Sequence, residues 1–599
     1  MKRTPILLIL LALVLAACPS ATVTGVSVTS VPAATKGLLS VFLNQSATIK
    51  ATVTGTGAFN AAVQWSLSPN DGSLVWKGDT ATFTPKAAIT YTLTAISQAD
   101  TGKRASLIAT VTAPDVLVIA DPTNINPNQP SNLTANVKDI GGAVTWSVDP
   151  TTGTSFTPPT PGNTTSFSSS LPGTYTITAT SVINPSLKGT VTVQVMSWTG
   201  SRLIGTGASD TVTGSATDAD GNVYVSGFTT GALQGLNQGQ FDAFVAKFDA
   251  SGTQVWVRQL GSSKDDLAYG VAVDGGGNVY VVGTTAGTLP TASSAGSDDA
   301  FVAKYDPSGT RQWVSQFGTS GFENAFGVAL GPDGSVFVAG DTDGSLNGTN
   351  PDLGNTDAFV TKLDPSTGAR TWTKQLGVIG NDTAYGVAVD ANGNVDIAGS
   401  TEGALPGNVS SLGRDAFIAQ YDPNGTQTWV RQFGSSKDDE IKGVAVDGSG
   451  NIFVAGQTDG NLSGSSAGLG DAFVAKYAPS GTKAWLSQFG SSADDGASGI
   501  AVDTSGNAYV SGQTDGNLPG NSSAGGTDAF LTKFDASSAS QWIKQIGSSS
   551  TDVGFAASVA DRGSSAVLAG YAEGSPFDGL TGAGGREGFI AKYKPDGSR

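Results

Sequence analysis

The stretch DAFVAKYDPSG, Asp299–Gly309, decides the reading of this chain because the chain repeats it. It returns as DAFVAKFDASG from Asp242, DAFVTKLDPSTG from Asp357, DAFIAQYDPNG from Asp415, DAFVAKYAPSG from Asp471 and DAFLTKFDASS from Asp528. A worn copy, EGFIAKYKPDG, starts at Glu587. The spacing is about 57 residues, and a fixed period of that length signals a repeat architecture.

Working outward, each period contains four strand-like runs. One copy reads GVAVDGGGNVYVVG from Gly270, then DAFVAKYD from Asp299, then RQWVSQFG from Arg311. A Gly-Asn turn suits a tight hairpin in the first run, and Pro-Ser-Gly makes a later turn. Val271–Val273 and Val279–Val282 are apolar on both faces, as expected of a sheet covered on both sides. Four strands per unit, arranged radially, predict a propeller blade.

Six units end in a tryptophan strand, at Trp256, Trp313, Trp372, Trp429, Trp485 and Trp542, each 14 or 15 residues after its Asp. A seventh would fall near residue 601, beyond Arg599. The missing strand is expected at the front, in SWTGSRLIGTG from Ser197, which carries Trp198. Pairing it with the last blade would close a seven-bladed ring and remove open sheet edges. GVAVDGSGNIFVAGQTDG from Gly443, with DAFVAKYAPSG, resembles the bacterial beta-propeller repeat family SBBP. That resemblance covers about two-thirds of the chain and implies architecture with little chemistry.

Ahead of the repeats, Ala21 to about Met196 is rich in Thr, Val, Ser and Ala, with short alternating runs. This predicts antiparallel sandwiches. VQWSLSP at Val63 matches VTWSVDP at Val144, and YTLTAIS at Tyr91 matches YTITATS at Tyr175. The duplication resembles bacterial Ig-like domains, with Trp65, Trp146, Tyr91 and Tyr175 expected in the cores. Such domains imply spacers or adhesion modules.

At the start, Lys2 and Arg3 precede an apolar run from Ile6 to Ala17, a secretory signal too short to span a bilayer comfortably. Leu15-Ala16-Ala17-Cys18 resembles the lipobox of bacterial lipoproteins, which implies cleavage before Cys18 and its acylation. Pro19 follows, so the Asp that favours inner-membrane retention is absent. The expected destination is the outer membrane or cell surface. The all-β chain thus divides into a signal peptide (1–17), two Ig-like sandwiches (18–113 and 114–196) and a seven-bladed propeller (197–599).

Composition narrows the chemistry. The chain has 599 residues, no histidine, one cysteine and a net charge of −17. The absence of imidazole removes the commonest general base and metal ligand, and with it any Ser-His or Cys-His pair. The negative charge argues against nucleic acid. Recurrent carboxylates precede the innermost strand at Asp210, Asp266, Asp382, Asp439, Asp495 and Asp552, with Asn324 in the third copy, and others end it at Asp274, Asp390, Asp447 and Asp503. Loops such as DADGN at Asp218 lack the spaced ligands and distal Glu of an EF-hand, so calcium is a weak alternative to plain turn chemistry. DPSGTQTW from Asp422 is loosely similar to a sialidase Asp-box, without the paired groups that glycoside cleavage needs. No glycine-rich loop leads into a phosphate-binding helix.

One catalytic site needs unlike residues that converge, so a feature present in every copy serves the scaffold. Function is therefore expected where copies depart from one another. These places are Phe322, Glu323 and Asn324, Asp396, Arg414, Glu440, and Phe577 with Arg586 and Glu587. They lie on or near a rim formed by long loops such as TDGNLPGNSSAGGTD from Thr514 and the GSSKDD loops at Gly261 and Gly434. The reading is a monomeric, lipid-anchored, non-catalytic binding or scaffold protein with a protein or glycan partner at that rim and no cofactor. The alternatives are an extracellular polysaccharide hydrolase or lyase, and a calcium-dependent adhesin.

Overall fold

Alternation and its loss separate two kinds of strand. The computed structural model describes residues 10–14, 22–29, 38–42 and 46–599, apart from 57–60, 72, 102, 113–115, 122, 126–129, 138–141, 158–161, 170–172, 196–197, 349–354, 464–466 and 561–564. Cys18 lies outside the described residues. Among the described residues every regular element is a strand, and no helix is long and apolar enough to cross a membrane. The chain forms two compact units, Met1–Val195 and Met196–Arg599.

In the first unit, strands alternate buried and exposed residues, as in Val63–Ser68 and Val144–Asp149. Each strand therefore covers one side of a core. One five-stranded and one four-stranded sheet enclose a core with Trp65, Phe83 and Tyr91. Two four-stranded sheets enclose another with Trp146, Phe167 and Tyr175. Leu10–Val14 pairs antiparallel with Thr22–Thr29. Trp146 donates to the Gly162 carbonyl at 2.8 Å, and Tyr175 accepts from Ser169 at 2.8 Å. Both are packing residues with satisfied polar ends.

The second unit is propeller-like. Among its described residues it contains seven four-stranded antiparallel sheets. The second sheet runs Asp266–Val273, Val279–Thr285, Asp299–Tyr305 and Arg311–Phe317, in that order. Its second strand is buried at every position, so alternation disappears where sheets cover both faces. The seventh sheet takes Asp552–Ala560, Ser565–Ala572 and Glu587–Tyr593 from the late chain, and Gly200–Ile204 from the front. Gly200 pairs with Lys592 and Ile204 with Gly588.

Neighbouring sheets are joined at their outer edges. Trp256 Nε1 donates to the Pro307 carbonyl at 3.1 Å, and Trp313 to that of Pro365 at 3.2 Å. The same bond links Trp372 to Pro423, Trp429 to Pro479, Trp485 to Ala536 and Trp542 to Pro595. Trp198 packs beside Gly252, and its backbone N–H donates to the Ala250 carbonyl at 3.2 Å. The sequence of contacts thus returns from the seventh sheet to the first. A β-carbon at Gly252 would come within 2.8 Å of the Trp198 ring, so this turn needs glycine both for its φ of +77° and for space.

Asp266 pairs with Thr285, Thr285 with Asp299, and Ala300 with Phe317. The loops after the second and fourth strands therefore emerge on one face, which also carries the start of each inner strand.

Candidate functional site

The repeated carboxylates come first because they account for most of the polar burial. Asp415, fully buried, opens its third strand and accepts from Ser411 N and Gln432 Nε2, both at 2.7 Å. Gln432 also donates to the Gly403 carbonyl, so one amide ties the third strand to the long loop. Asp299 with Gln316 and Asp528 with Gln545 repeat the arrangement. At the head of the inner strand, Asp266 accepts from Ser262 N at 2.6 Å and from the Thr285 hydroxyl. Asp274 caps its turn by accepting from Gly276 N, Asn278 N and Asn278 Nδ2. These are Asx-turn and loop-holding roles. Among the described residues no group of three or more His, Cys, Asp or Glu could hold a metal ion.

Four sequence expectations change here. In the third sheet the inner strand starts at Glu323, one residue before Asn324, and Glu323 pairs with Thr342. Its carboxylate accepts from Thr319 N, the Thr319 hydroxyl and the Thr342 hydroxyl at 2.6–2.7 Å. Glu323 is therefore the scaffold carboxylate of that copy, fully buried, and not a rim contact. Phe577 is also buried, with its ring 4.5 Å from that of Phe589. In this sheet Leu203 occupies the position of the loop-holding glutamine, opposite Phe589, and an apolar side chain fills the place of the amide bonds. Glu587 takes the role of the third-strand Asp there, accepting from Ala583 N and Gly584 N. Asp396 is likewise internal. It stands where other sheets bury Tyr224, Tyr280, Phe337, Phe453 or Tyr509, and it accepts from Gln420 Nε2 at 3.1 Å. Burial pushes its carboxyl up to about 7.

Of the remaining candidates, Phe322, Asn324, Arg414 and Arg586 are exposed or half-buried near the long-loop face, whereas Glu440 is buried beneath Arg414 rather than a rim contact. Phe322 is about half exposed, with its backbone tied to Asp343. Asn324 donates to Asp341 at 2.9 Å, and Thr383 donates to the other oxygen at 3.1 Å. Burial raises the Asp341 carboxyl above its usual range against those two bonds. Arg414 pairs with Glu440, whose other oxygen is held by Lys442. Arg586 pairs with Glu573 and lies 4.1 Å over the Tyr571 ring.

What the sequence reading missed is the feature at the centre. Every inner strand carries a register shift of one residue, as between Ala384 and Gly386 or between Ile441 and Gly443. The extra residue of each β-bulge is Thr213, Tyr269, Phe326, Tyr385, Lys442, Ser498 or Phe555. A bulge re-aims its side chain out of the ladder. The glycine opposite is required by contact, because a β-carbon at Gly456 would come 1.8 Å from the Glu440 carbonyl oxygen. All seven inner strands line one central cavity of about 170 Å³, with Lys442, Phe555, Thr213 and Ser498 among its walls.

At the bulges, three consecutive strands give an aromatic crescent. The Tyr269 and Phe326 rings are 5.3 Å apart, and Phe326 and Tyr385 are 5.4 Å apart. Lys442 Nζ then lies 3.7 Å from the Tyr385 ring centroid. Burial lowers the Lys442 pKa, an effect opposed by Tyr385 and reinforced by Arg414. Burial, with Asp341 and Asp298, raises Tyr269 to about 12. Tyr269 thus holds its proton at neutral pH. The site offers π-faces, hydrogen-bond donors and two cations around one carboxylate. The signal was present in the sequence, as the varying residue before the repeated glycine in AYGVAV, AFGVAL, IKGVAV and ASGIAV.

Comparison with known proteins agrees with the repeats. Regulatory protein FlaEY of Caulobacter vibrioides is 27% identical over 392 residues, covering 57% of this chain and 40% of FlaEY. An uncharacterized WD repeat-containing protein of Acanthamoeba polyphaga mimivirus is 23% identical over 469 residues, 59% of this chain and 33% of that protein. The chain therefore spans less than half the length of either relative. Among solved structures, quinohemoprotein alcohol dehydrogenase from Comamonas testosteroni is 13% identical, covering 63% of this chain and 66% of that one, with a TM-score of 0.35. A structure of YCF48 bound to D1 peptide is 12% identical over 66% of this chain and 96% of that one, with a TM-score of 0.34. Residues 255–289, 371–405, 428–463 and 484–519 match SBBP, the Beta-propeller repeat, so the chain carries SBBP repeats.

Proposed function

We propose that this chain is an exported, lipid-anchored cell-envelope protein in which two Ig-like domains carry a seven-bladed propeller that binds a protein or glycan without catalysing a reaction. The tryptophan contacts that return from the seventh sheet to the first support a closed ring. One observation carries the binding role. The bulge residues at the cavity differ from copy to copy, while the carboxylates and outer tryptophans around them repeat. Variation confined to a concave, part-aromatic centre is where recognition is expected.

The binding role is tested by presenting the full chain to glycan and peptide arrays, with Tyr385→Ala as the comparison. Retention of a defined ligand, weakened at least tenfold in the variant, supports the reading. Loss of polymer chain length during incubation would replace it. A glycan-acting enzyme is the second reading, favoured by the Tyr385–Lys442 contact, which joins a phenol to a cation. The anchor is tested by Cys18→Ser, which should move the protein from the membrane to the soluble fraction. The outer membrane or cell surface remains the proposed location. The calcium-dependent alternative requires a melting temperature that rises with added calcium, since a specific ligand stabilises the folded state.

A further inference from the structure

The mouth of the cavity has more positive donors than it uses. Arg414 and Lys442 each engage a different oxygen of Glu440, whose side chain is 6% exposed, whereas their own side chains are 34% and 28% exposed. A guanidinium has five N–H donors and an ammonium three, so one shared carboxylate leaves several unspent. Glu402 Oε1 also pairs with Arg414, at 4.0 Å, while its Oε2 accepts from Asn381 N and Nδ2. Asp438 is occupied by the Arg414 backbone N–H. Arg414 and Lys442 thus face two carboxylates, Glu440 at both cations and Glu402 at Arg414, with N–H donors to spare. Such a pair suits an incoming carboxylate.

Beside this pair lies the crescent of Tyr385, Phe326 and Tyr269, each partly exposed. Polar groups of Asn324 and Thr383 border it. A shelf of aromatic faces with polar edges matches a pyranose, whose faces are C–H and whose rim is hydroxyl.

We propose that the mouth binds a uronate-type acidic sugar of an anionic polysaccharide, with its ring on Tyr385 and Phe326 and its carboxylate on the exposed donors of Arg414 and Lys442 that Glu440 leaves unused. This rests on the reading of the propeller as a binding module and names its ligand class. The selectivity lies in the cations and the ring contact in the crescent, so the two contributions separate by mutation. Lys442→Met retains the apolar stem and removes the charge.

The test is titration calorimetry of the full chain with a galacturonate tetramer, a neutral tetramer of the same ring type, and an acidic phenylalanine-containing peptide. The uronate should bind at least tenfold more tightly than the neutral sugar, with an affinity that falls as salt rises. Lys442→Met should weaken the uronate at least tenfold and leave the neutral sugar within threefold. Phe326→Ala should weaken both. Lys533→Met, a cation over Tyr509 towards the other end of its sheet, should change neither and serves as the control. Melting curves identify any variant that fails to fold, and Arg414→Gln then replaces it.

Equal binding of acidic and neutral sugars, or an unchanged uronate affinity in Lys442→Met, overturns the proposal. Binding of the peptide without the uronate also overturns it but leaves the binding module standing. If none of the three binds, this proposal falls, and the broader reading falls too unless the arrays supply another ligand.

Discussion

The outer and inner strands of the propeller unit are built from equally repetitive sequence, yet they have diverged in opposite ways. Along the outside, a tryptophan, a turn carbonyl and a loop-holding glutamine recur from sheet to sheet. Along the inside, the backbone bulge recurs while its side chain runs through Thr, Tyr, Phe, Lys and Ser. The outer features hold one sheet to the next, so each copy faces the same requirement. The bulge side chain has only the cavity and its neighbours to satisfy, and it can change without cost to the ladder. Identity marks where the fold needs a residue, and variation on a fixed backbone marks where a ligand could choose one.

The comparison is broken most severely at the glycine facing the bulge. Gly456→Ala should cost about 4 kcal/mol or more, because its β-carbon would clash with a backbone oxygen that cannot withdraw. Gly448→Ala, in a turn with open space around it, should stay within about 0.5 kcal/mol. Thermal melts of the two variants decide the point, and similar melting temperatures would refute the contact argument.

Next in size is the dependence on pH. Burial raises Asp396 to about 7, so the folded protein keeps a proton that the unfolded chain releases near its ordinary pKa of about 3.9. Its stability contribution is therefore intact below about pH 4 and is lost as pH rises towards 7, by a few kcal/mol at most. Asp382, raised to about 7, and Asp552, raised to about 6, have the same sign. The propeller unit should melt higher at pH 5 than at pH 8, and Asp396→Asn should narrow that gap. A gap that does not respond to the variant would remove Asp396 as a cause.

Smaller again is the loop tie. Asp415→Ala leaves Ser411 N and Gln432 Nε2 without their acceptor and should cost about 2 kcal/mol by denaturant unfolding. At the outer seam, Trp372→Phe loses the bond to the Pro423 carbonyl and should cost about 1 kcal/mol. Tyr385→Ala should be the mildest for stability, under about 1 kcal/mol, while being the most damaging for binding. A large loss of stability there would place the crescent with the scaffold.

Most of the fold could be read from spacing. The seven copies of the DAF strand, the tryptophan strand and the turns give four strands per unit, and Trp198 supplies a strand for the last sheet. The site was less legible for two physical reasons. A bulge is invisible to a period-two pattern, because it adds one residue to one strand without altering composition. Separately, Asn324 was aligned with the inner-strand carboxylates, although Glu323, four residues before Gly327 as Asp382 is before Gly386, fills that place. Phe577, in turn, looked exposed because it sits in a loop, and nothing in its own segment shows that Leu203, more than 370 residues earlier, leaves it a space to fill. Arg414 and Glu440 were found as departures, but Lys442, which shares Glu440 with Arg414, was not, since a lysine in a strand looks ordinary until its neighbours are known.

The seventh sheet has a consequence for manufacture. Six sheets are each woven from one continuous stretch, so each can form without strands from elsewhere in the unit. The seventh joins Gly200–Ile204 to Glu587–Tyr593, so the earliest strand of the unit must wait for the latest one. Until then Gly200–Ile204 has an unpaired backbone edge, and Trp198 beside it can only rest against the turn of the first sheet. A chain interrupted before Glu587 would lack the strand that pairs with Gly200–Ile204, and its backbone edge would stay open for pairing.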